Sequence, residues 1–184
     1  MKKFNLFGKR KYRSSIYSLY SNIVNQARTE SFYTLNGVPD TVAGRFDMIT
    51  LHMYIVLRRL KEIGNEGIEL SQDLFDIMFA DMDKNMREMG VGDLSVGKNV
   101  KVFATAFYGR IKAYDNGISA LKSETLSDSL KRNIFSDAEP REEQVIALED
   151  YLTRGINISK NWSFSDIETN NIKFSEVFNI KSVK

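Results

Sequence analysis

The feature that most narrows the fold is a helical period sustained over residues 41–118. Apolar residues recur there at spacings of three and four, and the interruptions fall at glycines, near Gly64 and Gly67 and again at Gly90 and Gly92. Within 41–63, Phe46, Ile49, Met53, Leu57 and Leu60 fall on one face and Met48, Leu51 and Ile55 on another. A helix apolar on two faces is buried and central. Asp40 or Thr41 is placed to cap it. A first amphipathic helix is expected over 16–27, from Ile16, Leu19, Tyr20, Ile23, Val24 and Ala27, and Asn36, Gly37 and Pro39 break the chain after it.

A third helix is expected from a Ser71 cap to about Met89. A fourth begins at Asp93 or Ser95 and carries Val96, Val100, Phe103, Phe107, Ile111, Tyr114 and Ile118 at nearly heptad spacing. The opposite series, Lys98, Lys101, Thr105, Tyr108 and Lys112, makes a basic and partly aromatic face. Shorter helices follow near 124–134 and, with Pro140 suited to a first turn, near 140–154. The expected fold is all-α, a single-domain helical bundle of about six helices with a central buried helix. The bundle occupies 14–155, between a basic N-terminal arm, 1–13, and a polar C-terminal tail, 156–184.

Composition removes several classes of function. The chain has no cysteine, so disulfides, thiol catalysis and thiolate metal sites are out. Its longest charge-free run, residues 14–27, is too short and too polar to span a bilayer. The first residues lack the continuous apolar segment of a secretory signal. Net charge is only +2, yet residues 1–29 contain seven basic side chains and no acid, leaving an acidic excess in the rest. In the arm, Lys2, Lys3, Lys9, Arg10, Lys11 and Arg13 interleave with Phe4 and Phe7. That pattern suits an anionic membrane surface, or RNA, through counter-charge and shallow apolar insertion. Its bland alternative is a solvated end.

Several motifs imitate chemistry. From Gly92 the chain reads G-x-x-x-x-G-K, but Asn99 stands where a phosphate loop needs Ser or Thr, and the residues before it have helical rather than strand character. An enzyme of phosphate chemistry using Gly92, Gly97 and Lys98 would need a strand there. Asp81, Asp83 and Asn85 match the opening of a calcium loop, but Met86 and Gly92 occupy the positions of its glycine and its bidentate glutamate. Asp83 with Arg87 reads as an i, i+4 ion pair. His52, the only histidine, lies inside the central helix and reads as a hydrogen-bonded core residue. No metal and no cofactor are expected. Met78, Met82, Met86 and Met89 form a stripe at spacings of four, four and three. Such a stripe either fills gaps in the core or offers an adaptable apolar surface to a partner.

Two long segments, "FYTLNGVPDTVAGRFDMITLHMYIVLRRL" and "QDLFDIMFADMDKNMREMGVGDLSVGKNVKVFATAFYGRIKAYD", resemble the ubiquinol-cytochrome c chaperone family, over roughly residues 30–120. The resemblance implies a helical protein without catalytic chemistry that helps newly made cytochrome b, an apolar transmembrane client, reach the assembling reductase. Mitochondrial relatives also associate with the ribosome and a small helper protein. No DNA partner is implied. The expected location is cytoplasmic and peripheral to the inner membrane, mitochondrial in eukaryotic relatives. The family supplies no site residues, so exposure and chemistry choose them here: Met78, Asp81, Met82, Asp83, Met86 and Arg87, with Lys98, Lys101 and Tyr108, as one composite partner-binding surface around the corner. Arg45, Asp47 and Arg58 read equally well as structural ion pairs. The rival binding role is a membrane- or ribosome-contacting adaptor using the arm and the Lys98, Lys101 and Lys112 stripe.

Overall fold

A computed structural model describes residues 14–119, 125–136 and 138–177. Among them eight helices follow in order: α1 (Ser14–Ala27), α2 (Glu30–Thr34), α3 (Val42–Ile63), α4 (Asn65–Glu88), α5 (Asp93–Ser119), α6 (Leu126–Ile134), α7 (Glu142–Ser159) and α8 (Phe164–Glu168). No strand occurs among the described residues. The all-α expectation holds. Six of the helices are the expected longer ones, and α2 and α8 add five residues each. The membrane candidates of the arm, Lys2 to Arg13, lie outside the described residues.

The central helix is α3. The Thr41 hydroxyl caps it by accepting from the Gly44 amide at 3.1 Å, and the Gly64 amide closes its last turn on the Leu60 carbonyl at 3.3 Å. Every residue from Thr50 to Val56 is buried, because α1, α4, α5, α6, α7 and α8 all pack around it. Over this stretch two-faced apolarity means what it physically must: no side of the helix faces water.

The glycine signal was misleading after α3. Helix α4 begins at Asn65, not at a Ser71 cap, and the Ser71 hydroxyl donates within the helix to the Gly67 carbonyl at 2.7 Å. Gly67 is there for packing. A Cβ on it would overlap the Leu60 carbonyl oxygen, so only glycine lets the first turn of α4 lie against the last turn of α3.

The expected polar tail also needs correction. Helix α7 runs on to Ser159, and Trp162, Ile167 and Ile172 are buried in the same core as α3. Arg59 donates to the Trp162 carbonyl at 2.9 Å, and Ser163 with Asp166 forms a capping box for α8. Three apolar residues spread over a polar stretch give no period, yet each fills a specific gap. Residues 178–184 of that expected tail lie outside the described set.

His52 is a core residue, as its position in α3 implied. It is fully buried. Its Nδ1–H donates to the Met48 carbonyl at 2.7 Å, and Nε2 accepts from the Tyr151 hydroxyl at 2.8 Å. Tyr151 in turn accepts from Gln26 at 3.1 Å, which ties α1, α3 and α7 together. Burial pushes the imidazole pKa down to about 4. A folded pKa below the unfolded value of about 6.5 means that the contribution is whole above pH 6.5 and is lost as pH falls toward 4, about 3 kcal/mol in all. We expect urea unfolding to show about 2 kcal/mol lost between pH 6.5 and 5, and His52→Gln to flatten that interval. A flat wild-type profile there would contradict the assignment.

Candidate functional site

The corner between α4 and α5 is built by backbone geometry. Gly90, at φ +82°, ends α4; its amide donates to the Arg87 carbonyl at 2.9 Å and the Val91 amide to the Met86 carbonyl at 3.0 Å. Helix α5 then starts at Asp93, with the Ser95 and Val96 amides turned back onto the Gly92 carbonyl. Arg87 locks the turn, holding Asp83 at 2.7 Å on its own helix and Asp93 across the corner. What precedes Gly92 is thus the long helix α4. The strand that a phosphate loop requires is not at this position, so the G-x-x-x-x-G-K spelling lacks its structural context.

The methionine stripe divides. Met78 and Met86 are buried, Met82 packs partly against the core, and only Met89 is largely exposed. The docking role expected for Met78 and Met86 therefore fails on burial, at 0% and 5% exposure, on a helix that packs against α1, α3 and α5. Asp81 likewise turns toward α1, where its carboxylate accepts from the Tyr20 hydroxyl at 3.0 Å. Asp83 and Arg87 are engaged in the corner. The expected composite surface is therefore not one patch.

Lys98, Lys101 and Tyr108 do come together, on the outer face of α5. This helix buries only Val96, Phe107, Ala113 and Tyr114, while the rest of its predicted apolar series, Val100, Phe103, Ile111 and Ile118, packs partly buried against the core. Its opposite side exposes Leu94 (97%), Val102 and Tyr108 among Lys98, Lys101 and Lys112. Residues 94–112 contain no carboxylate. Gly97 and Gly109 share this side, and a Cβ on either would meet nothing within 4 Å. A glycine inside an exposed helix costs about 1 kcal/mol relative to alanine, and no contact among the described residues requires either one. Lys98, Lys101 and Tyr108 were legible in the sequence as a face of this helix, whereas Leu94, Val102 and Gly109 were not, and Gly97 stood out only within the G-x-x-x-x-G-K spelling. Their spacing, 94, 98, 102, 105, 109 and 112, was the available signal.

The inner side of α5 is held rigidly. Arg110 pairs with Asp47 of α3 at 2.6 Å, with side-chain exposures of 19% and 2%, and its guanidinium lies 5.3 Å from the Phe46 ring centre. Farther along, Asp115 accepts from both Tyr54 and Arg58 at 2.8 Å. Burial, then the bond to Asp115, raises the Tyr54 pKa well above its ordinary value. A cleft of about 390 Å³ opens beside this cluster, lined by Leu57, Lys61 and Ile111 among others. Arg58, which also lines it, pairs with Asp115 at 2.8 Å and more loosely with Glu62 at 3.8 Å. Tyr108 stacks beside Phe75 of α4, ring centres 5.4 Å apart, and burial with Asp76 nearby raises its hydroxyl pKa.

Residues 35–174 match the family model described as ubiquinol-cytochrome C chaperone. Among curated relatives, the ubiquinol-cytochrome c reductase complex assembly factor 1 of Mus musculus is 25% identical over 161 residues, 88% of this chain and 54% of that protein. The Homo sapiens protein of the same name is 28% identical over 130 residues, 71% of this chain and 43% of that protein. The chain thus spans about half the length of these curated relatives. The crystal structure of the Cbp3 homolog from Brucella abortus superposes with a TM-score of 0.78 at 31% identity, covering 93% of this chain and 92% of that one.

Proposed function

We propose, on the premise that this chain belongs to the ubiquinol-cytochrome C chaperone family, that it is a non-enzymatic chaperone for assembly of ubiquinol-cytochrome c reductase and that its client is newly made cytochrome b. The observation that supports a binding role most is the outer face of α5: exposed Leu94, Val102 and Tyr108, three lysines, and no carboxylate along residues 94–112. Exposed apolar side chains with a charged surround suit a partner that must be kept out of water. The relatives' names concern assembly of that complex, and an apolar subunit is what such an assembly must shield.

No described helix is long and apolar enough to cross a membrane. The reading therefore assigns attachment at the inner membrane to the basic arm, where each Lys or Arg near an anionic surface contributes about 1 kcal/mol. We expect tagged protein purified from solubilised membranes to bring cytochrome b with it. The charge reversal Lys98→Glu with Lys101→Glu should cut that yield at least tenfold while helicity and melting temperature stay unchanged, because both side chains are exposed. Absence of cytochrome b from the wild-type preparation would sink the client assignment.

A further inference from the structure

Resting on that reading of the protein as a chaperone for an apolar client, we infer that the outer face of α5 is a docking surface for one apolar α-helix of transmembrane length whose flanks carry carboxylates. Three observations converge. From residue 94 to residue 112 the face runs about 27 Å at 1.5 Å per residue, close to the length of a bilayer-spanning helix. Lys98 and Lys101 lie in its first half and Lys112 at its end; residues 94–112 contain no acid, and the carboxylates that bound the stretch are engaged elsewhere, Asp93 by Arg87 and Asp115 by Arg58 and Tyr54. Complementary charge is therefore carboxylate at both ends of the occupant.

The third observation distinguishes a helix from a lipid surface. The exposed apolar residues do not form the continuous face that an interfacial helix inserts; Lys98, Lys101 and Thr105 interrupt Leu94, Val102 and Tyr108. What the face offers instead is low relief. Gly97 and Gly109 leave two positions where a second helix backbone can approach closely, with Leu94, Val102 and Tyr108 standing beside them. Among the described residues nothing lies within 4 Å of a Cβ built on either glycine.

The test uses the purified full chain in detergent micelles with two synthetic probes. One is a 20-residue leucine-alanine helix flanked by glutamate pairs, and the other is the same helix flanked by lysine pairs. The glutamate peptide should bind at least tenfold more tightly than the lysine peptide, with the difference shrinking as salt rises. Gly97→Leu with Gly109→Leu should raise the melting temperature by a few degrees, since leucine is the better helix former, yet weaken the glutamate peptide at least tenfold. Gain of stability with loss of binding is a pair that a merely structural role would not produce. Equal affinity for the two peptides, or undiminished binding by the double leucine variant, would overturn the inference. So would tight binding to anionic vesicles by wild type and leucine variant alike with no peptide preference, because that result identifies a lipid surface. Peptide binding as stated, without cytochrome b in the membrane preparation, would keep this surface and remove the client. Cytochrome b in that preparation, with peptides indifferent to the leucines, would do the reverse.

Discussion

Asp47→Ala is expected to destabilise the protein by about 3–5 kcal/mol, a large part of the stability of an ordinary fold. The carboxylate is almost wholly buried and sits 2.6 Å from Arg110 at the contact between α3 and α5. Its removal leaves a guanidinium inside a helix interface, stacked on Phe46 and only partly able to reach water. That asymmetry gives the prediction its sign. Breaking one partner of a buried pair leaves an uncompensated charge, whereas replacing both by apolar side chains of similar size removes the charge problem altogether. Asp47→Leu combined with Arg110→Met should therefore recover most of what Asp47→Ala loses. In thermal unfolding the single variant should melt about 6–12 °C lower than wild type, with the double variant close to wild type. A double variant as unstable as the single one, or a single variant within 1 °C of wild type, would show that the pair does not secure α5.

The consequence reaches the proposed client surface, because α5 exposes its outer face only while its inner face is fastened. Arg110 and Asp115 fasten it from below, to Asp47 and to Tyr54 with Arg58. A variant loosened at Asp47 should thus lose partner binding along with stability. Lys98→Glu with Lys101→Glu should lose binding alone.

How far the sequence disclosed this arrangement depended on whether a signal was periodic. The three-and-four spacing over 41–118 identified the buried α3 and the inward series of α5 because burial of a helix face leaves a repeating mark. Trp162, Ile167 and Ile172 left none: each fills a gap made by other elements, and the polar residues around them hid the stretch. Glycine was ambiguous for a related reason. Gly90 does end a helix, through its positive φ, whereas Gly67 lies inside one, required by the Leu60 carbonyl against it. Nothing local separates those two uses. The methionines show the limit at the candidate site. Their spacing placed all four along one face of α4 and its C-terminal cap, but spacing carries no information about what covers that face, and Met78 and Met86 are buried while Met89 is not. The spelling of a phosphate loop follows a helix, α4, where that chemistry needs a strand, because the backbone around the letters matters as much as the letters.

Deletion of the protein should remove the assembled reductase. A client built of apolar helices, made without a partner to cover it, exposes surface that aggregates or is degraded before other subunits arrive. The loss should be near complete in assembled complex, while transcription of its subunit genes and the other respiratory complexes persist. Restoring the wild-type chain should restore assembly, and the Lys98→Glu, Lys101→Glu chain, folded and equally abundant, should not. The decisive measurement is the amount of assembled ubiquinol-cytochrome c reductase in membranes of the deletion strain, read from reduced cytochrome b spectra and native gels. The account predicts that both the cytochrome b signal and the complex band fall to a small fraction of wild type and return with the wild-type chain. Normal cytochrome b and a normal complex band in the deletion strain would contradict it.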